Sequence, residues 1–281
     1  MNYRHAFHAG NFADVVKHAL LARVIAHLRM KDTAFRVIDT HAGTGRTNLH
    51  GDEARRGGEW QDGIGRVFQH PFDGTVAALI EPYLSAIAAF NPDGALNIYP
   101  GSPLLIRHWL RPQDRLIACE YEAGAAQALA RNLRGDARVK AIAIDGWTAL
   151  NAYIPPKEKR GLVLIDPPYE HDDELSRAAD ALCAAHRKWP AGMLLLWYPI
   201  KDARAIKRFI AALATCNLAK SLRIELSRAN QTDEKLRGTG LIVVNAPWTF
   251  QDEAQILLPA LARAFWPDQR SEIHIEALAS A

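Results

Sequence analysis

The stretch that most constrains this chain is Leu162-Val163-Leu164-Ile165 followed at once by Asp166-Pro167-Pro168-Tyr169. A continuously apolar run suits a central parallel strand covered on both faces. Proline has no backbone N–H to donate and cannot continue such a strand. Two prolines in succession therefore end it and stiffen the exit. An aspartate is held at the strand tip, with an aromatic ring three residues on.

A strand buried on both sides needs helices above and below it, and the rest of the sequence supplies them. Asn11 can cap a helix whose third residue is Asp14, a capping-box-like start. Val16, Leu20, Val24 and Leu28 then form one apolar face, and the helix ends near Met30. Strands are expected at 35–39, 116–120, 140–144, 162–165, 192–197, 222–226 and 241–244. Helices are expected at 123–133, 173–187 and 203–214, and from Ser102 as cap with Pro103 in the first turn. Gly238-Thr239-Gly240 reads as a turn. The last two strands have no room for a long helix between them, so they form an antiparallel pair at the sheet edge. The stretch 46–91 breaks the alternation. It opens polar and Gly-rich and closes on an amphipathic helix near 75–90. The expected fold is α/β: a Rossmann-like sheet, mostly parallel with an antiparallel edge hairpin. The main domain spans 1–45 and 92–281, with a small helical insertion at 46–91.

Composition narrows the function. The 281 residues carry 34 Lys and Arg against 31 Asp and Glu, a net charge of +3. That balance permits a nucleic-acid partner without making the chain an electrostatic DNA coat. The opening residues lack the apolar run of a signal peptide, and the longest uncharged apolar stretch, 191–200, is too short to span a bilayer. A cytoplasmic, non-membrane protein is expected. Cys119, Cys183 and Cys216 lie far apart without a CxxC pair. They read as small core residues, with no disulfide framework and no metal constellation.

Further strand tips carry polar groups where ligands of such sheets sit. Asp39-Thr40-His41-Ala42-Gly43-Thr44-Gly45 follows the first strand, and its glycines allow close backbone approach. No GxGxxG and no GK[ST] completes it, so a dinucleotide or Walker site is disfavoured. Glu120 ends the next strand, where a carboxylate can accept from both hydroxyls of a ribose. Asp145-Gly146-Trp147 ends the third, where Asp can accept from an adenine amine.

Asp-Pro-Pro-Tyr downstream of an Asp-x-x-x-Gly-x-Gly loop resembles the amino-methyltransferases that use S-adenosylmethionine. More closely, the chain resembles the RlmJ family, bacterial 23S ribosomal RNA adenine N6-methyltransferases of the class I, Rossmann-like fold. The resemblance runs through Tyr3-Arg4-His5-Ala6-Phe7-His8-Ala9-Gly10-Asn11, Asp14-Val15-Val16-Lys17-His18 and Asp39-Thr40-His41-Ala42-Gly43. It continues through Tyr99-Pro100-Gly101-Ser102-Pro103, Leu196-Trp197-Tyr198-Pro199 and Gly240–Trp248, covering nearly the whole chain.

The resemblance implies that Asp166 is catalytic and also touches the cofactor, and that Tyr3, Pro167 and Tyr169 handle the target base. It implies cofactor contacts from Lys17, His18, His41 and Ser102 at the methionine end, Glu120 at the ribose, and Asp145 and Gly146 at the adenine. The methyl donor is S-adenosylmethionine and no metal is required. The partner is 23S ribosomal RNA, free or early in assembly, met by a monomer. Arg4, His5, Arg55, Arg56, Lys157, Lys159 and Arg160 are candidates for phosphate contacts. Two other readings stand beside this one. A DNA adenine or protein glutamine amino-methyltransferase would use the same Asp-Pro-Pro-Tyr logic. A non-catalytic RNA-binding scaffold would keep the fold without the chemistry.

Overall fold

A computed structural model describes residues 7–171, 173–218, 220–229 and 236–278. The first helix, α1 (Phe12–Arg29), starts where Asn11 Oδ1 accepts from the Asp14 amide at 3.0 Å. Then come β1 (Arg36–Asp39), β2 (Arg46–Asn48), α2 (Asp52–Gly57), α3 (Glu59–Asp62), α4 (Ile64–Gln69) and α5 (Gly74–Ala89). The middle of the chain forms β3 (Ile98–Pro100), α6 (Ser102–Trp109), β4 (Arg115–Glu120), α7 (Ala123–Asn132), β5 (Val139–Ala143) and α8 (Gly146–Tyr153). It ends with β6 (Gly161–Ile165), α9 (Glu174–Lys188), β7 (Met193–Ile200), α10 (Ala203–Ala214), β8 (Leu222–Arg228), β9 (Gly238–Val244), α11 (Phe250–Phe265) and β10 (Ser271–Ala277).

Eight strands make one sheet in the order β10-β8-β9-β7-β6-β1-β4-β5. The run from β5 to β7 is parallel, and β9, β8 and β10 extend it antiparallel. Every residue of β6 is buried, as its apolar sequence requires. One face packs on α1, α5, α6 and α11, and the other on α8, α9 and α10. Parallel connections therefore bring the carboxyl ends of β1, β4, β5 and β6 to one edge.

Four expectations are corrected. Gly238-Thr239-Gly240 is not a turn but the start of β9, whose Gly240 lies under Tyr198. A Cβ there would sit 2.2 Å from that ring, so glycine is what lets the strand approach. The antiparallel pair is not the edge, because β10 pairs outside β8. Gly101, not Ser102, caps α6, and Ser102 is its first helical residue. Cys183 and Cys216 form a disulfide, with Cα atoms 5.7 Å apart, while Cys119 is free and buried. Packing of α9 beside α10 brings the two cysteines together across 33 residues, which spacing alone does not announce.

Residues 46–91 contribute β2, paired with β3, and four helices. Ile64, Val67, Ile80, Tyr83, Ala86 and Ile87 join the same core as α1.

Candidate active site

At the tip of β6, Asp166 is partly exposed and Pro167 is buried behind it. Tyr169 has φ +53°, a backbone conformation that bulky residues rarely adopt. Its hydroxyl donates to the Trp197 carbonyl at 2.6 Å, and its ring meets Trp197 edge-on at 5.7 Å. Burial, reinforced by Asp166 and Glu174, holds this phenol well above its ordinary pKa, so it stays protonated. Trp197 is fixed in turn by its indole N–H to Thr239 Oγ1 at 2.7 Å.

Lys17 reaches this tip from α1. Its ammonium bonds Asp14 Oδ1 at 2.8 Å and Asp166 Oδ2 at 2.5 Å, and lies 5.5 Å from the centre of the Trp197 ring. Burial opposes the charge. The two carboxylates outweigh it and keep the ammonium's pKa above the ordinary lysine value. Asp14 Oδ2 accepts the Gly10 amide at 2.9 Å, which fixes the pair at the helix start. The sequence placed Lys17 beside the cofactor; the structure places it on Asp166.

Beside them Asp39 is fully buried. Ser102 Oγ donates to its Oδ2 at 2.7 Å, and its Oδ1 has no hydrogen-bond partner among the described residues. Burial pushes its pKa up to about 7, with Asp166 adding and Ser102 and Lys17 opposing. His18 is buried, not on the surface, and its Nδ1 lies 2.7 Å from the Tyr99 hydroxyl. That hydroxyl is 3.1 Å from the Tyr83 hydroxyl.

His41 forms a second cluster. Burial pushes its pKa down to about 4, with Asp145 opposing and Arg177 reinforcing, so the ring is neutral near pH 7. The Thr40 hydroxyl donates its one hydrogen to the Leu164 carbonyl at 2.9 Å and lies 2.8 Å from His41 Nδ1. Nδ1 is then the donor, and Nε2 presents a lone pair. Such a ring suits an N–H group better than a carboxylate. Asp145 caps α8, accepting the Thr148 amide and hydroxyl, both at 2.9 Å and both on Oδ2. A Cβ on Gly146 would sit 2.4 Å from the Thr40 carbonyl oxygen and 2.6 Å from His41 Nε2, so only glycine fits.

Glu120 organises the third cluster. Its Oε2 accepts the Gly43 amide at 2.8 Å, and Oε1 accepts from Tyr121 and Glu122 at 2.8 and 2.9 Å. Gly43 has φ +59°, and a Cβ there would meet nothing within 4 Å, so the loop tip faces open space.

These residues fit a nucleoside cofactor bearing an amino acid. Asp39 Oδ1 is a buried acceptor suited to an ammonium, Glu120 is a carboxylate beside an open Gly loop, and Asp145 and His41 offer acceptors next to a glycine. The structure thus brings Lys17, His18, Asp39, His41, Ser102, Glu120, Asp145, Gly146, Asp166, Pro167 and Tyr169 to one end of the sheet. Tyr3, Arg4 and His5 lie outside the described residues. Lys157, Lys159 and Arg160 precede β6 and lie at the opposite end; the Arg160 guanidinium is occupied by the Leu28 and Thr33 carbonyls. Sequence reasoning missed Asp14, Thr40, Trp197 and Thr239 as supports of the site. Asp14 and Lys17 at i,i+3 were a readable pair; the link to residue 166 was not.

This strand order, with carboxylates at its parallel tips and an antiparallel extension, defines a Rossmann-like class I methyltransferase fold. Residues 32–276 match the family described as ribosomal RNA large subunit methyltransferase D, RlmJ. The ribosomal RNA large subunit methyltransferase J of Escherichia coli (strain K12) is 37% identical over 262 residues, covering 93% of this chain and 92% of that protein. Its counterpart in Haemophilus influenzae is 35% identical, with 95% of each chain covered. A crystal structure of a Legionella pneumophila protein superposes with a TM-score of 0.87 at 34% identity, covering 96% of this chain and 98% of that one. The chain belongs to the RlmJ family of ribosomal RNA methyltransferases.

Proposed function

We propose that this chain transfers a methyl group from S-adenosylmethionine to the exocyclic N6 of one adenine in 23S ribosomal RNA. The observation that carries the reading is Asp166 at the tip of buried β6, held by Lys17 and backed by Pro167. An adenine amine is a weak nucleophile because its lone pair is delocalised into the ring. Asp166 and the Pro167 carbonyl accept its two N–H hydrogens, which orients the lone pair for displacement. Lys17 holds Oδ2, so Oδ1 is the oxygen left for the amine. The ring of Tyr169, tethered through its hydroxyl, faces the base. The N–C bond forms as the sulfonium C–S bond breaks, and Asp166 takes the amine proton late. A stacked base cannot reach a pocket at the sheet edge, so the adenine is flipped out.

S-adenosylmethionine supplies a methyl group already activated as a sulfonium. Glu120 would hold its ribose, Asp145 with Gly146 its adenine, and Asp39 its ammonium, with His18, His41 and Ser102 lining the cleft. Protein-free 23S RNA is the proposed substrate form, because it leaves the adenine accessible.

Labelled S-adenosylmethionine should be tested with deproteinised 23S RNA from a strain lacking the enzyme, with duplex DNA in parallel. N6-methyladenosine at one RNA site, identified by mass spectrometry of nucleosides, is expected. Product on DNA alone, or on neither, overturns the proposal.

A further inference from the structure

The strand that backs the base pocket leads directly into a basic surface. β7 runs from Trp197, which holds Tyr169, to Ile200, and Lys201 follows. At ~3.3 Å per residue the surface begins about 13 Å from Trp197. α10 then turns Ile206, Phe209 and Leu213 to the core. Arg204, Lys207 and Arg208 fall at i, i+3 and i+4 on the outer side, and with Lys201 all four are exposed. Among the described residues none of the four makes an ion pair, unlike Arg23, Arg36, Arg111 and Arg138.

Beside α10 the sheet is bare on this face. A groove of about 290 Å³ lies between the helix and the strands, lined in part by Lys207, Arg223, Arg237 and His274. Glu225 and Glu272 also line it; Arg223 is bonded to Glu225 and Glu276, at 2.9 and 3.0 Å, and Arg237 to Glu272 at 3.2 Å, which leaves Lys207, among the described residues, as the lysine without an ion pair on that wall. The Nε atoms of both arginines are buried with no hydrogen-bond partner among the described residues. On the other flank of the site, the segment leading into α9 carries exposed Glu170 and Asp173. A polyanion leaving the pocket meets repulsion there and attraction along α10.

We infer that the RNA backbone flanking the target adenosine docks across Lys201, Arg204 and Lys207 into the groove between α10 and β8–β10. This rests on the proposed RNA substrate. The three outer cations neutralise phosphates along the mouth of the groove. These residues set the hold on RNA and not the chemistry at Asp166.

The test uses the full chain carrying Lys201→Ala, Arg204→Ala and Lys207→Ala together, all exposed positions. Binding to a 23S RNA fragment is followed by fluorescence anisotropy across a salt series. Three lost single-strand phosphate contacts, at about 0.7 each, should flatten the slope of log K against log salt by about 2. KM for RNA should rise at least tenfold, with kcat and calorimetric S-adenosylmethionine affinity within twofold of the parent. Lys201→Arg with Lys207→Arg should restore the parent slope. Unchanged slope and KM in the triple variant, while the parent methylates RNA, overturns the docking surface alone. A parent that methylates no RNA overturns the substrate reading and the docking surface with it.

Discussion

The two ends of the sheet use their polar groups differently. At the carboxyl end stand Asp39, Glu120, Asp145 and Asp166, met by backbone amides, a hydroxyl and Lys17. At the amino end stand arginines, shared between carbonyls and the carboxylates Asp114, Asp136 and Glu158. Arg160 donates to Leu28 and Thr33, Arg138 to Leu110, Arg107 to Asn132, and Arg111 to Lys31 and Thr33. Several of these oxygens belong to the last turns of α1, α6 and α7, where carbonyls lack helical partners and cations are favoured. The amino end thus spends most of its donors on the fold, although Arg36 Nε and Glu158 Oε2 are buried there without a hydrogen-bond partner among the described residues. The carboxyl end keeps a buried acceptor without a partner at Asp39 and a carboxylate pushed up to about 7. One end holds the fold, and the other retains unspent polar capacity for a ligand.

The sharpest way to break that contrast is Asp166→Ala. Transfer should fall by at least about a thousandfold, a barrier higher by ~4 kcal/mol, with the sheet still folded but less stable, because the buried Lys17 ammonium keeps only Asp14. Residual turnover near the parent rate sinks the assignment. Lys17→Met mixes the two roles, because it strands Asp14 and Asp166 without their shared cation. It should cost about 3 kcal/mol in urea unfolding and lower kcat about a hundredfold; a loss of stability alone makes Lys17 a purely structural residue. Glu120→Ala should weaken S-adenosylmethionine binding about tenfold by calorimetry, since a carboxylate with ribose hydroxyls is worth ~1.4 kcal/mol or more. Arg160→Ala, at the far end, should cost about 1–2 kcal/mol of stability and leave kcat alone; any loss of turnover would blur the division.

The last effect is a pH slope. Folded Asp39 keeps its proton to about pH 7, whereas the unfolded chain loses it near 3.8, as an ordinary aspartate does. The folded state binds the extra proton between those values, so this group makes stability fall as pH rises from about 4 to about 7 and contributes no slope above that. Asp39→Asn should remove about 2 kcal/mol of the difference between pH 5 and pH 8. Parallel pH profiles for variant and parent would dismiss the raised pKa.

The parallel half of the molecule was legible because its strands are short apolar runs ended by Asp, Glu or Pro, and each tip named its own candidate. β10 was not, since Ser271-Glu272-Ile273-His274-Ile275-Glu276-Ala277 alternates weakly and pairs only once β8 exists. The ribbon of β2 and β3 joins two three-residue strands 50 residues apart, too short for any periodicity to register. α11 carries Pro259 within it, a residue that argues against a helix until tertiary packing overrides it. Within the site, carboxylates at strand ends were readable from spacing. The bond from Lys17 to Asp166 spans 149 residues and arises only from α1 lying over the sheet.

The insertion of β9 between β7 and β8 imposes an order on synthesis. The chain emerges from its amino terminus, so β7 is made with one long apolar side open. That side stays unpaired until residues 238–244 have appeared, because no earlier strand takes their place. Thr239, which secures Trp197, arrives in the same stretch. The support of Tyr169 is thus among the last parts finished, and a nascent chain lacking its final sixth has already exposed an edge prone to mispairing.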